Sequence, residues 1–196
     1  MAAISDVEIW KPLLVLVGLY ALISGGFKGR AFVLCVLIAL GVADALFVPT
    51  LKSLVGRIRP KDAQIVRMVQ LQKARPKFLT LFKTPRIHYS KPEKRNKSGS
   101  SFPSGHTTDN VVIAICCTLF FRRWGWLYFI AAAAIGYSRI YLGAHWPSDV
   151  VGTAFLAAGE ALIVLALLQL AWRWAAPRWA PALFQRNPRL LGTPAT

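Results

Sequence analysis

Acidic residues are scarce in this chain. Eight Asp and Glu stand against 24 Lys and Arg, a formal net charge of +16, and charged residues of both signs make up only 16% of the 196 positions. A soluble globular domain carries about a quarter charged residues, so an ordinary water-exposed surface is excluded. A nucleic-acid binder or basic tail would be richer in charge and poorer in Leu, Ala and Trp. Disorder is excluded too, because it needs low hydropathy alongside high charge. Here the mean hydropathy is +0.46 and 55% of residues are hydrophobic. Cysteine is sparse: Cys35, Cys116 and Cys117 lie inside apolar runs without disulfide or zinc spacing. The chain also lacks an internal repeat and any carboxylate cluster able to hold Mg²⁺ or Zn²⁺. What remains is a membrane protein whose positive charge sits outside its apolar segments.

Five apolar stretches are present: Ile9 to Phe27, Ala31 to Leu54, Pro103 to Phe121, Trp124 to Tyr141 and Pro147 to Trp174. A spanning helix needs about 20 mostly apolar residues, and these lengths fit. Trp10, Trp124, Trp126, Trp172 and Trp174 stand at the expected ends, as interfacial aromatics do. The first stretch follows Asp6 and Glu8 instead of a positive n-region and has no cleavage site after it, so it reads as a retained helix and not a signal peptide. The expected fold is an all-α membrane bundle of about five helices, residues 1–174, with a basic tail at 175–196. A hydrophilic insertion at 56–102 holds 13 of the 24 basic residues against two acids. Its middle, Ala63 to Phe82, mixes apolar and basic positions in the manner of a surface-lying helix with Arg and Lys reaching for anionic head groups. Its end, Lys91 to Ser101, is polar and expected to be flexible.

Three polar clusters fall at segment ends. They are Lys52-x6-Arg59-Pro60, Pro103-Ser104-Gly105-His106 and Ser138-Arg139-x5-His145-x3-Asp149. Counting crossings puts all three on one membrane face, which gathers three cations, two histidines and a carboxylate. Those residue types suit an oxyanion such as phosphate. Lys52 offers a point charge, and Arg59 and Arg139 offer planar forks that match phosphate oxygens. Pro103 is placed to start a helix and leave the N–H groups of Ser104, Gly105 and His106 available. Gly105 removes a side chain where phosphate must approach the backbone. Asp149 can accept a hydrogen bond from one ring nitrogen of His145 and leave the other to attack phosphorus. His106 is then the natural general acid.

Together the clusters resemble the three-part signature of the type 2 phosphatidic acid phosphatase superfamily, with every fixed position present. The resemblance covers Lys52 to Asp149. It implies phosphate ester hydrolysis without metal or other cofactor, through a phosphohistidine on His145. Asp149 would orient that nucleophile, His106 would act as acid, and Lys52, Arg59, Ser104, Gly105 and Arg139 would cradle the phosphate. Many members have six membrane helices, whereas five are counted here, with one ahead of the Lys52 cluster.

A site at the membrane face makes a phosphorylated lipid the simplest substrate. Lipid A 1-phosphate, undecaprenyl pyrophosphate, phosphatidylglycerol phosphate and phosphatidic acid all fit, and the composition does not choose among them. The expected partners are this lipid and anionic membrane lipids at the 56–102 insertion, with no nucleic acid and no obligate protein partner. The expected location is a bacterial inner membrane with the site facing the periplasm, since setting aside the site's own cations leaves the C-terminal face the more positive. Two rival classes stand beside hydrolysis: a lipid phosphotransferase using the same intermediate, and a non-enzymatic protein that binds or moves anionic lipid. Asp44, Asp109 and Glu160, acids inside apolar segments, read as structural or pocket-lining. Ser138 reads equally as a packing hydroxyl, and His88 as solvated.

Overall fold

The structure is a computed structural model that describes residues 2–4, 6–72, 74–75, 79–80, 83–91 and 100–192. In chain order its helices are α1 (Val7–Ser24), α2 (Gly26–Val42), α3 (Val48–Val55), α4 (Pro60–Ala63), α5 (Gly105–Phe120), α6 (Tyr128–Tyr141), α7 (Pro147–Trp179) and α8 (Pro181–Arg186). Strands β1 (Arg67–Gln70) and β2 (Arg86–Tyr89) form one hairpin between α4 and α5. The chain is therefore an all-α membrane bundle with a small β insertion.

All five apolar stretches are helical. Three helical runs are long and apolar enough to cross a membrane: Val7–Ser24, Gly26–Ala63 and Pro147–Trp179. The other two, α5 and α6, have 16 and 14 residues. At 1.5 Å per residue they are roughly 24 and 21 Å long, short of the ~30 Å hydrocarbon thickness. α1 is capped by Asp6, whose carboxylate accepts from the Glu8 N–H at 3.1 Å. Of its 18 residues only Ile9 is buried, so nearly its whole apolar surface faces outward, a pattern that suits lipid and not water. Between α2 and α3 the helix widens to a π-helical turn at Ala43–Phe47. Pro49, just beyond it, has no N–H to donate back along the helix, and the wider turn lets the chain pass.

The core is made by three helices, each burying a ladder of four-residue spacing. On α2 the ladder is Ala31, Cys35 and Ala39, continued by Ala43 in the π-helical turn; on α5 it is Thr108, Val112, Cys116 and Phe120; on α7 it is Thr153, Ala157, Ala161 and Leu165. Ala39, Ala43, Val112 and Ala161 form one apolar cluster. Small residues at this spacing let helix backbones approach closely, which is how membrane helices associate when lipid is as apolar as the side chains. α5 lies at the centre, packed on α2, α6 and α7.

The basic insertion differs from expectation. Instead of a surface helix over Ala63 to Phe82, β1 pairs antiparallel with β2 in the register Arg67↔Tyr89, Met68↔His88, Val69↔Ile87 and Gln70↔Arg86. The β-branched Ile65, Val66 and Val69 favour extended backbone, and the partner strand that decides the matter lies 16 residues beyond β1. Residues 73, 76–78, 81–82 and 92–99 of the insertion lie outside the described residues. After 174, α7 continues to Trp179, and residues to 192 turn back across the bundle end. Gln169 Oε1 accepts from the N–H groups of Leu190 and Leu191 at 3.0 Å each, and Trp172 Nε1 donates to the Asn187 carbonyl at 3.0 Å.

If each of the five helical stretches crosses the membrane, Ala3 and Asp62 lie on one side and Arg123 on the other. In a cysteine-free background, a membrane-impermeant thiol reagent should label Ala3→Cys and Asp62→Cys in vesicles of one orientation and Arg123→Cys only in the inverted ones. Labelling of Ala3→Cys together with Arg123→Cys would mean an even number of crossings.

Candidate active site

The Lys52 cluster begins where α3 stops. Gly56 adopts the left-handed conformation at φ 57°, and its N–H returns to the Lys52 carbonyl at 3.2 Å. The left-handed region favours glycine. The chain then leaves helix and is extended at Arg59, until Pro60 opens α4. Backbone bonds stitch this segment to the other two clusters. The Ser101 N–H donates to the Arg57 carbonyl at 2.6 Å, and the Lys61 N–H donates to the Gly143 carbonyl at 3.1 Å. Trp146 Nε1 also donates to the Ile58 carbonyl at 2.9 Å.

The third cluster leaves α6 at Tyr141 and enters α7 at Pro147, which takes the first helical position suited to a residue without N–H. Asp149 follows in that first turn and is fully buried. One carboxylate oxygen accepts from the Trp146 N–H at 2.9 Å and from the Ser101 hydroxyl, and the other accepts from Arg57 Nη1 at 2.7 Å. Arg57 also donates to the Ser148 hydroxyl at 2.9 Å and lies over the Trp146 ring.

His145 is 4% exposed. Its Nδ1 lies 2.5 Å from the Ser101 carbonyl oxygen. A carbonyl can only accept, so Nδ1 carries the hydrogen and Nε2 keeps its lone pair. The direct His145–Asp149 hydrogen bond expected from spacing is replaced. Asp149 is engaged by Arg57, Ser101 and Trp146, and reaches the histidine only through Ser101. Burial first, and the neighbouring Arg59 and Arg139 guanidinium charges after it, push the His145 pKa down to about 4, against the opposing pull of the Ser101 bond and Asp149. The ring is neutral at neutral pH.

Ser104 is also placed differently from expectation. It caps α5, its hydroxyl accepting from the Thr107 hydroxyl at 3.0 Å and, more weakly, from the Thr107 N–H at 3.4 Å. Its own N–H donates to the Thr153 hydroxyl at 3.0 Å, so it is not available to an anion. The first helical residue is Gly105, two residues later than a start at Pro103 would give. A methyl group built at Gly105 would meet nothing within 4 Å, so packing does not require glycine there and the helix N-terminus opens onto space. Arg59 is half-buried, and its Nε is buried without a hydrogen-bond partner. Lys52, half-buried on α3, lies within electrostatic reach of Asp109 on α5. A cavity of about 450 Å³ is lined by Glu8, Val69, Gln70, His106, Arg139 and Leu142 among others. It brings the α1 start and β1 over the two motif residues. Among the described residues no three His, Cys, Asp or Glu side chains gather as metal ligands.

Arg57 and Ser101 were not singled out from the sequence. Arg57 read as one of many basic residues of the insertion, and Ser101 works partly through a main-chain carbonyl, which leaves no mark on residue type.

The profile of the PAP2 superfamily matches residues 31–174, a span that holds all three clusters. The chain belongs to the PAP2 superfamily. Three curated relatives are similar over parts of it. Lipid A 4'-phosphatase of Bacteroides thetaiotaomicron is 29% identical over 162 residues, 80% of this chain and 63% of that one. Bacitracin transport permease protein BcrC of Bacillus licheniformis is 39% identical over 79 residues, 40% of this chain and 35% of that one. Undecaprenyl-diphosphatase BcrC of Bacillus subtilis is 41% identical over 58 residues, 30% of each chain. The matched part is thus under two thirds of each relative's length. No solved structure matches the chain.

Two outcomes follow from this geometry. In ¹⁵N-histidine spectra His145 should appear as the Nδ1–H tautomer at pH 7 and titrate near pH 4. The folded ring resists protonation that an unfolded histidine accepts near 6.5. Its contribution to stability is therefore intact above about pH 6.5 and lost as pH falls toward 4. Separately, thermal unfolding in detergent should show Asp149→Ala costing about 3–5 kcal/mol, because it strands buried donors. Arg57→Gln should cost about 1–2 kcal/mol, the smaller figure because Arg57 is 43% exposed.

Proposed function

We propose that this chain is a membrane lipid phosphatase that cleaves a phosphate monoester or pyrophosphate through a phosphohistidine on His145. The observation that carries the reading is the fixed, neutral His145 ring. Its Nδ1–H is held by the Ser101 carbonyl, leaving the Nε2 lone pair beside Arg59 and Arg139. A neutral imidazole is the nucleophilic form. Arg59, Arg139 and Lys52 would neutralise the phosphoryl oxygens, with the Gly105 N–H at the α5 N-terminus completing the cradle.

In the first step Nε2 attacks phosphorus, the P–O bond to the leaving group breaks, and His106 gives its proton to the departing oxygen. In the second, His106 takes a proton from water as its oxygen attacks phosphorus, the P–N bond breaks and inorganic phosphate leaves. Ser101 and Arg57 act as positioning residues, the first on the ring and the second on Asp149. Ser104 acts chiefly as the cap that aims α5.

The substrate class follows from the setting, a site at a membrane face between helices whose outward surface is apolar. Relatives named lipid A 4'-phosphatase and undecaprenyl-diphosphatase support a phosphorylated envelope lipid. We place the enzyme in a bacterial inner membrane with this face toward the periplasm. The hairpin insertion, basic and exposed at Arg67 and Arg86, would hold anionic lipid near the site.

The test is phosphate release from a panel of lipid phosphates and pyrophosphates in detergent with EDTA present. Activity should survive EDTA and be inhibited by vanadate. His145→Ala should abolish it, by at least about 10³-fold, and His106→Ala should lower it roughly 10²–10⁴-fold. Full turnover in His145→Ala rules out the nucleophile. Phosphate appearing on an added alcohol in place of water favours a transferase, and no release from any lipid favours a binding protein.

A further inference from the structure

At the end of the bundle opposite the catalytic residues, the chain after α8 folds back as a strap. Its anchors are neutral. Gln169 and Trp172 hold the backbone of Asn187, Leu190 and Leu191, and Leu190 is buried with Ala31, Cys35, Cys116, Phe120 and Leu165. The arginines that arrive with the strap take no part in fastening it.

Three cavities surround this strap, and Arg189 lines all of them. The first, about 490 Å³, adds Arg173 with Phe184 and Leu191. A second, about 280 Å³, adds Lys28 and Arg186 with Phe27. The third, about 390 Å³, adds Arg122 with Leu119. Four cations, Lys28, Arg122, Arg173 and Arg186, thus gather around a fifth, Arg189. Among the described residues, Arg122, Arg173, Arg186 and Arg189 have no hydrogen-bond acceptor and no carboxylate partner. No acidic residue lines any of the cavities, and none follows Glu160 in the sequence.

Orienting a membrane protein requires only that basic residues lie in its loops on one side. It does not require them to be gathered around cavities by a folded strap. Like charges held together without counter-charge repel, and a bound anion relieves that repulsion. The lining also alternates cation with Phe184, Leu191, Phe27 and Leu119, so each cavity offers apolar wall beneath a guanidinium or ammonium group. That pairing matches a glycerophospholipid, with its phosphate on the arginines and the first carbons of its chains on the apolar wall.

We infer that the strap builds a binding site for an anionic phospholipid, centred on Arg189, on the membrane face opposite the catalytic residues. Occupancy fastens the strap to α2, α5 and α7 at once, because Lys28, Arg122 and Arg173 belong to or adjoin those helices.

The experiment uses the full chain in nanodiscs of phosphatidylcholine with and without phosphatidylglycerol. Retained lipid is read by native mass spectrometry after transfer to detergent, and thermal unfolding is followed in parallel. Wild type should retain phosphatidylglycerol and unfold at a higher temperature with it. Arg189→Gln should lower retention about tenfold and remove the thermal shift. Arg123→Gln, on the same face but outside the three cavities, should behave as wild type. Equal retention by Arg189→Gln and wild type overturns the site, and equal loss in Arg123→Gln reduces it to diffuse surface charge. A thermal shift given by inorganic phosphate in detergent and not by phosphatidylglycerol overturns the lipid as occupant. If Arg189→Gln does not fold, Arg173→Gln and Arg122→Gln carry the same comparison, each removing one cation from a different cavity.

Discussion

A carboxylate that is fully buried at a membrane face must have donors, and the Asp149 carboxylate recruits them from three stretches of chain. Arg57 comes from beyond α3, Ser101 from the approach to α5, and the Trp146 N–H from the turn before α7. Leaving any of these donors or the carboxylate unpaired costs more than a typical hydrogen bond gains. The three stretches are therefore held at one point, and they are the stretches that carry the three motifs. His145 is placed by the same device one step removed, since the serine whose hydroxyl Asp149 accepts also presents its carbonyl to the ring. The buried Arg59 Nε can then remain without a hydrogen-bond partner, because the fold does not depend on it.

The electrostatics follow from that arrangement. Arg59 and Arg139 both lie near His145, and a neutral ring tolerates such neighbours where an imidazolium would not. If Asp149 bonded the ring directly, it would favour the protonated form and compete with nucleophilicity. Routing the contact through a neutral carbonyl fixes the tautomer while keeping the carboxylate's charge for Arg57. The result is an uncharged base with two guanidinium groups near it.

Much of this was legible in the sequence, and the limits are physical. Apolar runs at membrane length located all five main helices, and motif spacing at their ends located Lys52, Arg59, His106, Arg139 and His145. Crossing parity predicts one shared face for them, and the structure sets Arg59 and Arg139 beside His145, and His106 in one cavity with Arg139. Pairing was not legible. Asp149 four residues after His145 looks like a direct partner, but Pro147 starts α7 between them and turns the carboxylate toward Ser101 and Trp146. The Ser104 N–H looked available at a helix start until Thr153, 49 residues away, took it. The hairpin failed for a related reason, since β1 is defined by a strand that the local pattern of Ala63 to Phe82 does not contain. The four-residue ladders on α2, α5 and α7 were present in the residues all along. Their meaning required knowing which helices meet.

Helix length connects the two faces. The start of α5 is level with the first two turns of α7, because the Ser104 N–H meets Thr153, and its end is level with Leu165, which shares a cluster with Phe120. α7 then continues to Trp179, about 21 Å farther at 1.5 Å per residue, with Trp172, Arg173, Trp174 and Trp179 on this overhang. Aromatic and basic residues in such a place belong to the interface between acyl chains and head groups. Short α5 and α6 leave that end of the bundle uncovered, and the returning strap closes it by inserting Leu190 into the core. The excess charge of the chain is thereby divided by geometry: at one end a buried acid fixes Arg57 beside the motif residues, and at the other a strap held by neutral anchors gathers cations that no acid among the described residues balances.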